Sequence, residues 1–225
     1  MTEFLALCIC HTVGDFYLQS KTVAEKKEKL NRYMLFHAVV YTIPFVFLFL
    51  LIRWNWSILL VLGSHLVIDI LSVYGKRTYS QYEIPIFAAD QLCHLTVLWF
   101  VAENVASDMG LEKEVLAVTL AVLVLFKPLS ILISLVFQAV FQDGQKENMR
   151  TVRTGKYIGY AERTVVFLLC CYGAISTIGF IIAAKTLVRY KDINEDKNHF
   201  QEKYLIGTLL STIGALLAYG FVKYI

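Results

Sequence analysis

Charge and proline are what this sequence has least of. Of 225 residues only 17% are charged and three are proline, whereas 57% are apolar and 14% aromatic. A soluble domain carries about 25% charged and about 45–50% apolar residues. The shortage of charge therefore argues against an ordinary soluble globular protein and excludes a disordered one. Three prolines and twelve glycines leave little material for long linkers and none for a collagen-like repeat. A net charge of +3 is too small to offer the basic surface that nucleic acid requires, so no nucleic-acid partner is expected. The five cysteines, Cys8, Cys10, Cys93, Cys170 and Cys171, are odd in number and lie in apolar stretches. They read as small buried residues and not as a disulfide framework. A signal peptide is also not expected. Met1-Thr2-Glu3 has no basic region and no small-residue cleavage site follows, so the first apolar stretch should remain as a span.

What the sequence does have is long apolar runs. Seven can be marked, at Phe4–Leu18, Tyr33–Ile52, Trp56–Tyr74, Ile84–Ala106, Val115–Phe141, Ile158–Ala184 and Tyr204–Tyr224. Backbone groups in hydrocarbon must bond internally, which leaves helices or closed barrels, and runs this long mean helices. The expected fold is an all-α polytopic membrane bundle of about seven spans. The first is short for a hydrocarbon core of about 30 Å. The fifth is long and interrupted by Lys127-Pro128, which predicts a kink or a re-entrant hairpin.

Lysine and arginine set the orientation. Five lie between spans one and two (Lys21, Lys26, Lys27, Lys29, Arg32), then one (Arg53), two (Lys76, Arg77) and one (Lys113). The fifth loop has four (Lys146, Arg150, Arg153, Lys156) and the sixth has five (Lys185, Arg189, Lys191, Lys197, Lys203). Through the fifth loop this alternation places the N-terminus outside and the loops after spans one, three and five in the cytoplasm. The sixth loop breaks the rule.

Histidine and aspartate carry the functional signal. His11-x-x-x-Asp15 lies in span one, His65-x-x-x-Asp69 in span three and Asp90-x-x-x-His94 in span four, while span two adds His37. Residues four apart share one helix face, with Cβ atoms about 5–6 Å apart. At the helical rise, Asp15, His37, Asp69 and Asp90 all lie about 8–10 Å from the loops on the cytoplasmic side. His11, His65 and His94 fall about 15–17 Å in by the same measure. The pattern predicts a shallow layer of three carboxylates with His37 above a deeper layer of three imidazoles.

One aspartate in mid-helix costs about 2.5–3.5 kcal/mol on insertion scales, so three need partners. A divalent cation stabilises carboxylates and neutral imidazoles together. Imidazole-rich ligation favours zinc, the carboxylate share admits manganese or iron, and seven donors are enough for one or two ions. Two other readings of the same residues are hydrogen bonds that only pin four helices, and a proton or cation pathway without a fixed metal. Cys8, three residues before His11, and Cys93, beside His94, read as apolar filler.

The chain divides on this inventory into a His/Asp-rich four-span bundle, 1–110, and a three-span region, 111–225, whose membrane segments lack histidine. Lys127, Arg163, Lys185 and Arg189 are the cations of that second part, and they suit an anionic headgroup on a substrate or interfacial anchoring. Glu162 and Glu202 open spans six and seven, Gly207, Ser211 and Ala215 form a small-residue packing row, and His199 reads as solvated.

The stretch His11-Thr-Val-Gly-Asp15-Phe-Tyr-Leu-Gln19, with His65-x-x-x-Asp69 and Asp90-Gln-x-x-His94, resembles the domain of unknown function 3307 family of bacterial polytopic membrane proteins. Gly155-Lys-Tyr-Ile-Gly159-Tyr-Ala-Glu162-Arg163, Ala184-Lys185-Thr-Leu-Val-Arg189 and Lys203-Tyr-Leu-Ile-Gly207-Thr-Leu-Leu-Ser211 look like that family's second half. The resemblance implies a bacterial cytoplasmic-membrane protein. The first half is also similar in style to membrane-bound metal-dependent hydrolases, and more loosely to alkaline ceramidases, which order their motifs differently. The expected function is a metal-dependent hydrolase acting on a lipid or lipid-linked substrate. In it His11, His37, His65, Asp69 and His94 hold or orient the metal, and Asp15 or Asp90 acts as general base. The alternatives are a divalent-cation or proton transporter using the same cluster, and a structural or regulatory membrane protein.

Overall fold

The computed structural model describes residues 1–20, 22–23, 32–51, 56–104, 110–141, 149–188, 190 and 200–225. Among these the backbone closes its hydrogen bonds within helices and no strand occurs, as an apolar environment demands. The helices are α1 (Thr2–Thr12), α2 (Arg32–Leu51), α3 (Ser57–Thr78), α4 (Glu83–Asn104), α5 (Lys113–Phe141), α6 (Met149–Cys171), α7 (Ser176–Val188) and α8 (Phe200–Tyr224). A π-helical turn at Val13–Tyr17 extends α1, and a 3-10 turn at Ser80–Tyr82 precedes α4. Among the described residues, five helical segments are long and apolar enough to cross a membrane: Arg32–Leu50, Ser57–Thr78, Ser80–Asn104, Lys113–Phe141 and Gln201–Tyr224. They mark an integral membrane protein. The chain forms two compact units, Met1–Leu123 and Val124–Ile225, with the boundary inside α5.

In the first unit, helix α1 is buried at every position from Leu5 to Thr12 except Ile9. A helix that is apolar on all sides belongs inside protein, which accounts for a first segment too short to match a bilayer. Helix α2 shows how the others face lipid. Met34, His37, Tyr41, Phe45 and Leu48 are buried at helical spacing, while Leu35, Phe36, Val39, Ile43 and Phe47 are exposed on another face. Both faces are apolar, so exposed leucines and phenylalanines here are a surface for acyl chains and not a defect. The buried side of α2 joins Leu7 and Cys10 of α1, Ile58 and Val61 of α3, and Leu98 and Val101 of α4 in one core.

Two close approaches fix this unit. Gly14, in the π-helical turn, lies directly against α2. A Cβ there would stand 2.9 Å from Cδ2 of Tyr41 and 3.2 and 3.3 Å from its carbonyl oxygen and Cα. Tyr17 donates its hydroxyl to the carbonyl oxygen of Leu123 at 2.8 Å, tying the end of that turn to α5.

In the second unit, α6 packs along α8, and α5 meets α8 where Gly207 lies against Phe137 and Gly214 against Leu129. Ser211 and Ala215 are buried, so the small-residue row is a packing face. Helix α5 runs unbroken from Lys113 to Phe141 and carries Lys127-Pro128 within it, so it is not a hairpin. The break falls elsewhere. The single span expected over Ile158–Ala184 is two helices, α6 and α7. Gly173, at φ +73°, ends α6, with Gly173 N–H donating to Cys170 O at 3.0 Å and Ala174 N–H to Leu169 O at 2.8 Å. This paired 5→2 and 6→1 bonding is a Schellman cap, which glycine makes without the Cβ clash of a left-handed backbone. An uninterrupted apolar run hid it, since hydropathy does not register backbone handedness.

Gly14→Ala is expected to destabilise the detergent-solubilised protein by about 1–3 kcal/mol, because the backbone of α2 must shift. A lowered thermal midpoint checks it. Gly173→Ala should cost about 1–2 kcal/mol from its left-handed conformation. Gly179→Ala, with open space around its Cβ position, should be neutral or stabilising by up to about 1 kcal/mol. Equal midpoints for these last two variants would contradict the cap.

Candidate metal centre

The polar residues of the first unit arise from apolar rows. On α3 the buried positions are Ile58, Val61, His65, Asp69 and Val73, and on α4 they are His94, Leu98 and Val101, with the half-buried Asp90 one turn before His94. Each polar side chain occupies a place that the helical period assigns to the core. His37 lies in the buried row of α2, His11 near the end of α1, and Asp15 in the π-helical turn, which widens the backbone spiral between His11 and Asp15. His11, Asp15, His37, His65, Asp69 and His94 are between 1% and 7% exposed and the Asp90 side chain 10%, so the whole cluster is enclosed.

Three overlapping sets of donor atoms result. His11, His65 and His94 form one, Asp15, His37, His65 and Asp69 a second, and Asp69, Asp90 and His94 a third; within each set the donor atoms lie within 4.8 Å of one another. The shallow and deep layers expected from helical rise thus meet through His65, Asp69 and His94. In the second set, Nε2 of His37 is 3.2 Å from Asp15 Oδ1, 3.3 Å from Asp69 Oδ2 and 3.2 Å from His65 Nε2. A single imidazole N–H cannot serve all of these at once. In the third set, His94 Nε2 lies 3.9 Å from Asp69 Oδ1 and 3.8 Å from Asp90 Oδ1. These separations are too long for hydrogen bonds. His94 Nε2 and Asp90 Oδ1 are nevertheless buried atoms with no hydrogen-bond partner among the described residues.

Such spacing fits a cation. Donors about 2.0–2.1 Å from one tetrahedral ion stand about 3.4 Å apart, close to the 3.2–3.3 Å of the second set and somewhat less than the 3.8–3.9 Å of the third. The residue types also fit, since carboxylates and neutral imidazoles are ordinary ligands of zinc, manganese and iron. Asp69 presents Oδ2 to His37 and His65 and Oδ1 to His94, so one carboxylate faces two donor sets. The buried His/Asp groups could therefore hold a metal ion.

Two residues that complete the site were not among those expected. Gln91 donates through Nε2 to Asp90 Oδ2 at 3.0 Å and Asp15 Oδ2 at 3.4 Å, while its Oε1 faces His11 Nε2 at 3.3 Å. With the amide in this orientation His11 carries its proton on Nε2, so its Nδ1 accepts the Tyr41 hydroxyl at 3.0 Å. Tyr41 also stacks on His65, with ring centroids 3.5 Å apart and planes at 5°. It steers two imidazoles, the task of the outer partners at metal sites. A signal for Tyr41 was present, four residues after His37 on the same helix face; Gln91 shows only as the neighbour of Asp90.

The remaining expected residues lie in the second unit or outside the described residues. Arg163 is buried and donates to Ser130 Oγ at 2.8 Å. Lys185 pairs with Glu162 at 2.6 Å and donates to Thr208 at 2.9 Å. Lys127 is half-buried in α5. Arg189 and His199 fall outside the described residues. The bonds of Arg163 and Lys185 join helices of their own unit. Cys8 is buried and Cys93 exposed, and neither enters a donor set.

No curated protein and no solved structure matches this chain. Residues 4–123, more than half of the sequence and the part that contains every member of the His/Asp cluster, match a family model described as Protein of unknown function (DUF3307). The chain belongs to the DUF3307 family.

Proposed function

We propose that this protein is a membrane-embedded, metal-dependent hydrolase acting on a lipid or lipid-linked substrate. The observation that carries the reading is the pair His94 Nε2 and Asp90 Oδ1, buried, without hydrogen-bond partners among the described residues, and 3.8 Å apart. Their spacing suits ligands of one ion better than partners in a hydrogen bond. The two sets that share Asp69 differ in kind. Asp15, His37, His65 and Asp69 supply four buried donors, the complement of a closed site. Asp69, Asp90 and His94 supply three, the complement of a site that keeps a fourth position for water. Zinc is the favoured ion, with manganese or iron next, and the donors suffice for two.

A bound divalent ion supplies chemistry that the side chains lack, lowering the pKa of water to about 7 and polarising the bond to be cleaved. The protein's part is orientation and proton handling. Asp90 would hold the ion through Oδ1 and, through the Oδ2 that Gln91 orients, take the proton of the attacking water and return it to the leaving group. Gln91 holds Asp90 and Asp15 in register through its amide, and His11 holds Gln91. Asp15 then serves the closed set rather than acting as base, and His11 orients Gln91 and Tyr41. The positive-inside pattern places the cluster toward the cytoplasmic face, and its depth in the helices suits a substrate delivered from the bilayer.

Protein purified without chelator should carry one to two equivalents of divalent metal by elemental analysis, and His65→Ala should lose it. A metal-free wild type overturns the proposal. Asp90→Asn should lower lipid-bond hydrolysis by about 10²–10⁴-fold while the four-donor set keeps its ion. Bound metal with ion flux into liposomes and no turnover would instead assign the cluster to cation transport.

A further inference from the structure

Helices α6 and α7 are joined by the Gly173 cap, and the far end of α7 comes back to the middle of α6. Glu162 on α6 lies nine residues before Cys171, and Lys185 on α7 lies nine after Ser176; their side chains pair at 2.6 Å. Two side chains so far from the turn can touch only if the chain doubles back, because two helical arms leaving in one direction would separate them by about 30 Å. The end of α7 is held at the start of α8 as well. Lys185 Nζ bonds Thr208 Oγ1 at 2.9 Å and lies 4.8 Å from the Tyr204 ring centroid, and Thr186 Oγ1 lies 3.3 Å from the Tyr204 hydroxyl.

The surface of this hairpin is apolar. Between Glu162-Arg163 and Lys185 the sequence holds no charged residue. Tyr172, Ile175, Phe180, Leu187 and Val188 are exposed, from 54% at Ile175 to 85% at Tyr172. At thirteen residues α7 is about 20 Å long, too short to cross a hydrocarbon core of about 30 Å. Both flanks are basic, with Lys146, Arg150, Arg153 and Lys156 before the hairpin and Lys185, Arg189, Lys191, Lys197 and Lys203 at and after its end.

We propose that the α6–α7 hairpin is a re-entrant element that enters and leaves the membrane on one face, with lipid acyl chains as the partner of its exposed apolar surface. The sixth apolar segment then does not cross. The loops that flank it share a side, and the second cluster of basic residues ceases to be an exception to the positive-inside rule. At its mouth Glu162 pairs with Lys185, and Arg163 beside them is buried and bonded to Ser130, so the charges that border the hydrocarbon are all held by partners.

The test is sidedness in the full-length protein. Single cysteines replacing Lys156 and Tyr190, in a chain whose five native cysteines are changed to serine or alanine, are treated with a membrane-impermeant maleimide in sealed vesicles of each orientation. Both positions should label in the same vesicle orientation, and labelling in opposite orientations overturns the proposal. Protease sites inserted after Gln145 and after Asn194, with native cysteines kept, give a second and independent measure by fragment size. Cleavage at both from one side of the vesicle supports the hairpin, and cleavage at each from a different side refutes it. Neither readout depends on bound metal or on hydrolysis, so its failure leaves the functional proposal standing.

Discussion

A carboxylate or imidazole inside an apolar bundle finds no water to solvate it, and every other part of the first unit conforms to that constraint. Asp15, His37, Asp69 and His94 come from four different helical segments and meet near one place because each alone is costly in hydrocarbon. The packing serves the meeting. Gly14 lets the π-helical turn lie against α2, where Tyr41 both lines the core and steers His11 and His65. A methyl group at position 14 would disturb the polar centre and the apolar contact in the same movement. Stability and site geometry are thus one problem here.

The second unit meets the same constraint with other chemistry. Its polar groups are paired locally, Arg163 with Ser130 and Lys185 with Glu162 and Thr208, and no group of three or more potential ligands forms among its described residues. Gly207 and Gly214 on α8 admit Phe137 and Leu129 of α5, so close contact substitutes for polar convergence. Long cations thereby act as cross-links between helices. This explains why a cationic inventory that suits a headgroup on paper resolves into internal bonds for Arg163 and Lys185.

Much of this was legible in order along the chain. His65 and Asp69, or Asp90 and His94, sit four apart on one helix, and distances to flanking basic residues set their depth. Those are one-dimensional quantities, and antiparallel neighbours in a bilayer convert them into proximity. Tyr41 was legible only as the residue four after His37, a spacing that core tyrosines share, and Gln91 as a glutamine beside an aspartate had no spacing that separates it from the surface. The turn at Gly173 was hidden for another reason. Tyr172-Gly173-Ala174-Ile175 is as apolar as its surroundings, and only the sign of φ and two hydrogen bonds distinguish a cap from a continuing helix.

The sequence by itself determined that the chain is helical, belongs in a membrane and carries acids and histidines at matched depths, since composition, run length and the helical period follow from residue order alone. Tertiary structure decided what those depths become. Helix approach brings donor atoms in each of the overlapping sets within 4.8 Å, aims both oxygens of Asp69 at different neighbours, and folds α7 back on α6. Such outcomes depend on how pairs of helices are rotated and how closely they approach, which is set by contacts between residues far apart in the chain and is written in no local pattern.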